Sequence, residues 1–324
     1  MNITIIGTGA YGIAISLMLN ENKNKITMYT PFIDEYNMLV KKRENEKVLK
    51  GVKIPDNIKI STDLEKTLHK SDIIFIMVPA GNVDDVSRAI KPYYKNQYVC
   101  IGSKGIEQDT SLFVNDVFNK YIKSDKVAVL SGPSFAVDMA SYVPVGLTLA
   151  SYDKSTLKVV KKALENSFLK IRTTDDVIGV EVCGSIKNII AIASGMIDGM
   201  GLPESTEAML ITEALHDIKE LIDALGGDKK TILSYAGIGD LLLTCTSEKS
   251  RNFRYGQLIG LKKSREEIKA FTDTTTVEGF YTLKSVYNLL RNKQVDIPII
   301  DIMYDIVFRE EEVEKLEHFL INKD

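Results

Sequence analysis

Short apolar runs rich in Ile and Val recur through the first half of the chain, at residues 2 to 6, 26 to 29, 73 to 78, 98 to 101, 127 to 130 and 145 to 149, with segments of helical spacing between them. Such alternation predicts a mostly parallel sheet with helices on both faces. The run Ile73 to Val78 is apolar at every position between Asp72 and Pro79, as a strand covered on both sides should be. From about residue 176 the strand signals stop, and long stretches of helical period follow, broken by Gly226-Gly227, Gly237 to Gly239 and Pro298. The pattern predicts an α/β domain over residues 1–175 with a doubly wound, mostly parallel sheet, and an all-α C-terminal domain over residues 176–324. The length of 324 residues agrees with two domains of roughly 100 to 200 residues each.

Composition narrows the partners. With 44% hydrophobic and 26% charged residues and a formal net charge of -3, the chain is neither disordered nor polybasic, and nucleic acid is not expected to bind. The start, Met-Asn-Ile-Thr-Ile-Ile-Gly, lacks a basic leader with an apolar core, and no uninterrupted apolar run approaches the roughly 18 residues that span a bilayer. A cytoplasmic protein without membrane insertion is the expectation. Cys100, Cys183 and Cys245 are odd in number and far apart, and His69, His216 and His318 are equally scattered, so neither a disulfide framework nor a metal site is expected.

The strongest local signal is Gly7-Thr8-Gly9-Ala10-Tyr11-Gly12, directly after the first apolar run and before an amphipathic helix over Ala14 to Leu19. In a Rossmann domain the first glycine permits the tight turn, the second lets a pyrophosphate approach the backbone, and the third lets helix and strand pack closely. Gly7, Gly9, Ala10, Tyr11 and Gly12 are therefore candidate cofactor contacts, and nicotinamide redox chemistry is the expectation. The acid that would bind the adenosine ribose is missing from the end of the second strand, Met28-Tyr29-Thr30-Pro31. Asp34 and Glu35 come a few residues late, and Lys41-Lys42-Arg43 reads as a solvated helix face. Either NAD or NADP fits this sequence, and with nothing acidic in place a 2'-phosphate should be tolerated.

In the second half, Lys187-Asn188 interrupts an apolar helix spanning Val177 to Met200. Lysine is almost never fully buried without a partner. Gly184, Lys187, Asn188, Ala191 and Gly195 share one face, leaving room above the ammonium for a ligand. A desolvated lysine beside a second cation has its pKa lowered and becomes a usable general acid near neutral pH. Lys104, in the loop Gly102-Ser103-Lys104-Gly105 after a predicted strand, is the candidate second cation. Asp240 stands just before an apolar helical turn with Thr244 one turn on, and Ser250-Arg251-Asn252 offers donors and an always-charged fork suited to phosphate. For Asp240 a helix cap is the competing assignment.

Taken in order along the chain, these motifs resemble the bacterial NAD(P)-dependent glycerol-3-phosphate dehydrogenases. The resemblance rests on Gly7 to Gly12, Ser103-Lys104-Gly105, Ser131-Gly132-Pro133-Ser134-Phe135-Ala136, Lys187-Asn188-Ile189-Ile190-Ala191-Ile192, Ala236 to Ser247, Ser250-Arg251-Asn252 and Val277-Glu278-Gly279. It implies that Lys187 donates and accepts the proton, that Lys104, Asp240 and Ser134 hold or polarise the substrate beside Gly132 and Asn188, and that Ser250, Arg251 and Asn252 grip its phosphate. It also assigns Tyr11, Lys104, Ala136, Arg251, Thr276 and Glu278 to the cofactor, and implies a homodimer. One segment departs from the family: Leu202 to Glu207, with Glu213, is acidic where a glycine- and asparagine-containing loop and an arginine-bearing helix are usual. A related dehydrogenase for another hydroxy acid or phosphorylated substrate, or a dinucleotide-binding protein without turnover, are the alternatives.

Overall fold

The computed structural model describes residues 1–108 and 110–322. The chain folds into two compact units: Met1–Lys104 with Val114–Val177, and Gly105–Phe113 with the chain from Ile178 onward.

The first unit is built on one sheet of β1 (Asn2–Ile6), β2 (Lys25–Tyr29), β3 (Lys59–Ser61), β4 (Ile73–Ile76), β5 (Tyr98–Ile101), β6 (Val127–Ser131), β7 (Val145–Ala150) and β8 (Leu169–Thr174). The strand order is β3-β2-β1-β4-β5-β6-β7-β8, every neighbouring pair parallel except β6 with β7. Its first six positions repeat the order of a doubly wound dinucleotide-binding sheet. Register places Ile5 of β1 between Met28 of β2 and Phe75 of β4, all fully buried. The helices are α1 (Ala10–Glu21), α2 (Ile33–Lys42), α3 (Leu64–His69), α4 (Val83–Ile90), α5 (Val114–Tyr121), α6 (Ala136–Ala140) and α7 (Lys154–Leu164).

The predicted α/β sheet is present, with differences of detail. The fourth strand stops at Ile76, two residues short of the apolar run, although Met77 N still donates to Ile6 O at 2.8 Å. The helix after the glycine turn starts at Ala10 and not Ala14. Two strands carried no wholly apolar run: β3 has only three residues, and β8 alternates buried Leu169 and Ile171 with exposed Lys170 and Arg172. Both lie at sheet edges, where one face meets solvent.

The second unit is helical: α8 (Val177–Gly199), α9 (Glu204–Ala224), α10 (Asp240–Cys245), α11 (Arg251–Gly260), α12 (Arg265–Thr274), α13 (Glu278–Lys293), α14 (Pro298–Phe308) and α15 (Lys315–Asn322). Its core gathers around α8, whose Ile186, Ile189, Ile190, Ile192 and Met196 are all buried. By length and mean hydropathy (1.6) α8 could cross a membrane, but 94% of that stretch is buried among other parts of the protein, as in the core helix of a globular fold. Helices α8 and α11 meet backbone to backbone: a Cβ on Gly195 would lie 1.9 Å from Phe253 O, and one on Gly256 would lie 1.9 Å from Ile192 O. Only glycine allows that approach, which sets the start of α11 against the middle of α8.

Candidate active site

In the first unit the candidate residues stand in the loops that follow β1, β5 and β6, which with β4 are adjacent parallel strands whose carboxyl ends share one edge of the sheet. Gly7 turns the chain at φ +113°, and a Cβ there would strike Met77 O at 2.4 Å. A Cβ on Gly12 would strike Gly7 O at 2.3 Å, so α1 and β1 pack as closely as the fingerprint requires. At Gly9, the residue capping α1, a Cβ would meet nothing within 4 Å, and no side chain caps the helix. Open space over uncapped N-terminal amides is what a pyrophosphate needs, so the cradle fits a dinucleotide.

Around that turn Lys104 Nζ donates to Gly132 O (3.2 Å) and lies 5.9 Å from the centre of the Tyr11 ring. Ser134 Oγ donates to the same carbonyl (3.2 Å), with the Tyr11 hydroxyl at 3.5 Å. Tyr11, Lys104, Gly132 and Ser134 thus form one cluster, and Ala136 opens α6, which packs on α1. Residue-level reasoning alone would take Ser134 for a turn residue; its signal lay in the motif Ser131 to Ala136.

At the end of β2 a carboxylate does arrive. Glu35, in the first turn of α2, accepts from Thr30 Oγ1 (2.5 Å) and from Asn45 Nδ2 (3.0 Å), and Asn45 Nδ2 also donates to Thr8 O (3.1 Å) in the glycine turn. Five residues of offset in sequence hid this return, because Thr30 to Ile33 is a tight connection and not a continued strand.

In the second unit Lys187 is 8% exposed, and its Nζ donates to Asp240 Oδ1 at 2.7 Å and to Thr244 Oγ1 at 3.1 Å. Thr244 Oγ1 in turn donates to Asp240 O (2.6 Å). The cap of α10 falls on Gly239, so the Asp240 side chain is free to face the lysine instead of closing a helix end. The group touching the ammonium is therefore a carboxylate. Beside them the Cys245 thiol is pushed up by burial and by Glu207, with Lys187 opposing.

Asn188 Oδ1 accepts from Asn252 Nδ2 (3.0 Å), and Asn252 Oδ1 accepts from Gly279 N (2.9 Å), tying α8, α11 and the start of α13 together. Asn188 Nδ2 is buried and donates to nothing among the described residues, an amide left for an acceptor the protein itself does not supply. Ser250 caps α11, its Oγ accepting from Phe253 N (3.2 Å), and Arg251 follows it exposed. Arg254 lies over the Phe271 ring at 5.5 Å. Glu278 begins α13, half-buried, and Thr276 precedes it exposed. In the acidic segment Glu207 accepts from Ser194 Oγ, which also donates to Cys245 O at 3.1 Å.

A dinucleotide cradle on a parallel sheet, in a chain that also carries a buried lysine-carboxylate pair in its helical unit, defines the class as a nicotinamide-dependent oxidoreductase. The model of the NAD-dependent glycerol-3-phosphate dehydrogenase N-terminus matches residues 2–157, and that of the C-terminus matches residues 176–318. A glycerol-3-phosphate dehydrogenase [NAD(P)+] of Thermoanaerobacter sp. (strain X514) is 37% identical over 100% of this chain and 98% of its own, and one of Staphylococcus epidermidis is 35% identical over 99% and 98%. The crystal structure of glycerol-3-phosphate dehydrogenase from Coxiella burnetii superimposes with a TM-score of 0.94 at 30% identity, covering 99% of this chain and 98% of that one. The chain belongs to the NAD-dependent glycerol-3-phosphate dehydrogenase family.

Proposed function

We propose that this protein is a cytoplasmic, homodimeric NAD(P)-dependent glycerol-3-phosphate dehydrogenase. It interconverts dihydroxyacetone phosphate and sn-glycerol 3-phosphate, feeding glycerophospholipid synthesis. The single observation that carries the reading is the buried Lys187 ammonium held 2.7 Å from Asp240 and 3.1 Å from Thr244, because a binding module has no use for a desolvated proton donor.

A nicotinamide dinucleotide held by the glycine turn would supply the hydride that reduces the ketone. Lys187 gives one proton to the C2 oxygen as its charge develops and takes one back in the reverse direction. Asp240 and Thr244 hold the ammonium in one position. The unpartnered amide of Asn188 and the ammonium of Lys104 stabilise the developing alkoxide, as preorganised donors do in a site that excludes water. Asn252 positions Asn188, and with Ser250 and Arg251 it binds the phosphate, Arg251 as the charged fork. Gly132 and Ser134 complete the substrate contacts, while Gly7, Gly9, Ala10, Tyr11, Gly12, Ala136, Thr276 and Glu278, with Lys104 and Arg251, hold the cofactor.

The test is oxidation of NADH and NADPH at about 340 nm with dihydroxyacetone phosphate against a panel of ketoacids. Turnover should be confined to the phosphorylated ketone, and Lys187→Met should lower kcat by roughly 10²- to 10⁴-fold while leaving cofactor affinity unchanged. Preference for a ketoacid would favour the related dehydrogenase to which the acidic segment around Glu207 points. Near-native activity in the Lys187 variant would remove its role.

A further inference from the structure

The end of β2 carries no acid of its own, yet Glu35 brings one there from α2. Thr30, 1% exposed, donates to one carboxylate oxygen, and Asn45, 2% exposed, donates to the other while also bonding the Thr8 carbonyl of the glycine turn. The carboxylate is thus fixed at the strand end by two buried side chains, one of them tied to the phosphate-binding turn. A carboxylate has about four acceptor sites, of which these bonds use two. Asn45 Oδ1, buried, accepts no hydrogen bond among the described residues, a second acceptor left open beside the first.

Two of the cations close in sequence are committed elsewhere. The Arg43 guanidinium donates to the carbonyls of Ile54, Pro55 and Ile58, and Lys42 pairs with Glu46. Lys41 stands in the last turn of α2, six residues and therefore about 9 Å along the axis from Glu35. Next to the carboxylate, Phe32 is 68% exposed, an aromatic face set in water directly after the strand that ends the fingerprint.

We propose that Glu35 takes the place of the absent strand-end acid. It accepts hydrogen bonds from the adenosine ribose hydroxyls of the dinucleotide, and its charge turns away a 2'-phosphate, so the protein prefers NAD(H) to NADP(H). This rests on the reading of the first unit as a nicotinamide dinucleotide site and reverses the tolerance of NADP that the strand end alone suggested.

The experiment compares kcat/KM for NADH and NADPH with dihydroxyacetone phosphate, and in parallel the Kd of each reduced dinucleotide by its own fluorescence with no substrate present. The wild type should favour NADH by at least about tenfold in both. Glu35→Gln should shrink that ratio by about tenfold or more, through KM and Kd and not kcat, whereas Glu35→Asp, which keeps the charge, should retain discrimination. A wild type that binds NADPH as well as NADH overturns the proposal without any variant, so a misfolded variant cannot shelter it. An unchanged ratio in a folded Glu35→Gln protein overturns it equally. Tighter binding of NADH in a protein that fails to reduce dihydroxyacetone phosphate would leave this inference standing and defeat only the substrate assignment.

Discussion

An ammonium and a carboxylate that are both nearly out of water are tolerable only together. Lys187 and Asp240 are 8% and 2% exposed, so cutting one partner strands the other in a medium that cannot solvate it. Asp240→Ala should therefore cost about 3–5 kcal/mol of stability, read from urea denaturation. Replacing both, as Lys187→Met with Asp240→Leu, should recover most of that loss in a protein without turnover, since an apolar pair of similar volume is often neutral at such a site. A double variant as unstable as Asp240→Ala would show that the loss comes from packing and not from a stranded charge. At this scale much was legible. Lys187 betrayed itself as a charge in an apolar helix, and Asp240 and Thr244 by their spacing of one helical turn. Glu35 did not, because its meaning depends on where α2 folds back, which no periodicity states. The same holds for Asn188 Nδ2, whose interest lies in the lack of a partner.

Among the elements, the crossing of α8 and α11 carries the most for function. Helix α11 brings Asn252 to Asn188, and its distance from α8 is set by glycines with carbonyls pressed against them. Gly256→Ala puts a methyl 1.9 Å from Ile192 O, so the helices must part. Overpacking of this kind costs about 1–3 kcal/mol. Thermal denaturation should show that loss, and the KM for the phosphorylated substrate should rise because Asn252 moves with its helix. A variant with native melting and native KM would mean that the crossing can relax without moving the site. The sequence pattern announced α8 as a long apolar helix and β4 as a strand covered on both faces. It was silent on β3 and β8, whose half-exposed edge positions dilute the apolar signal with Lys59, Lys170 and Arg172. Backbone-to-backbone crossings are equally hard to read, since a glycine in a helix looks the same whether it meets a neighbour or water.

Across the whole molecule the three cysteines, Cys100, Cys183 and Cys245, are buried and none is in a disulfide, and burial pushes the thiols of Cys100 and Cys245 well above their ordinary range. Thiolate is the reactive form, so an upward shift suppresses reaction at pH values where an exposed cysteine labels readily. With a disulfide reagent at about pH 8, the native protein should release almost no colour, and in urea all three cysteines should react. Prompt labelling of a native thiol would mean that one of the two cores opens to solvent. The division of the chain carries a further consequence, for synthesis on the ribosome. The stretch Gly105–Phe113 leaves the sheet-forming sequence to join the helical unit, and its Ile106, 4% exposed, lies in the core built around α8. Apart from Phe113, which bridges to Ile106 within the same stretch, the side chains of that core begin only at Ile178. At roughly 5–20 residues per second, several seconds pass between the emergence of this isoleucine and that of the α8 side chains that bury it. Until α8 is made, Ile106 therefore waits outside the core that finally buries it, so the helical unit can close around this stretch only after its own first helix has emerged.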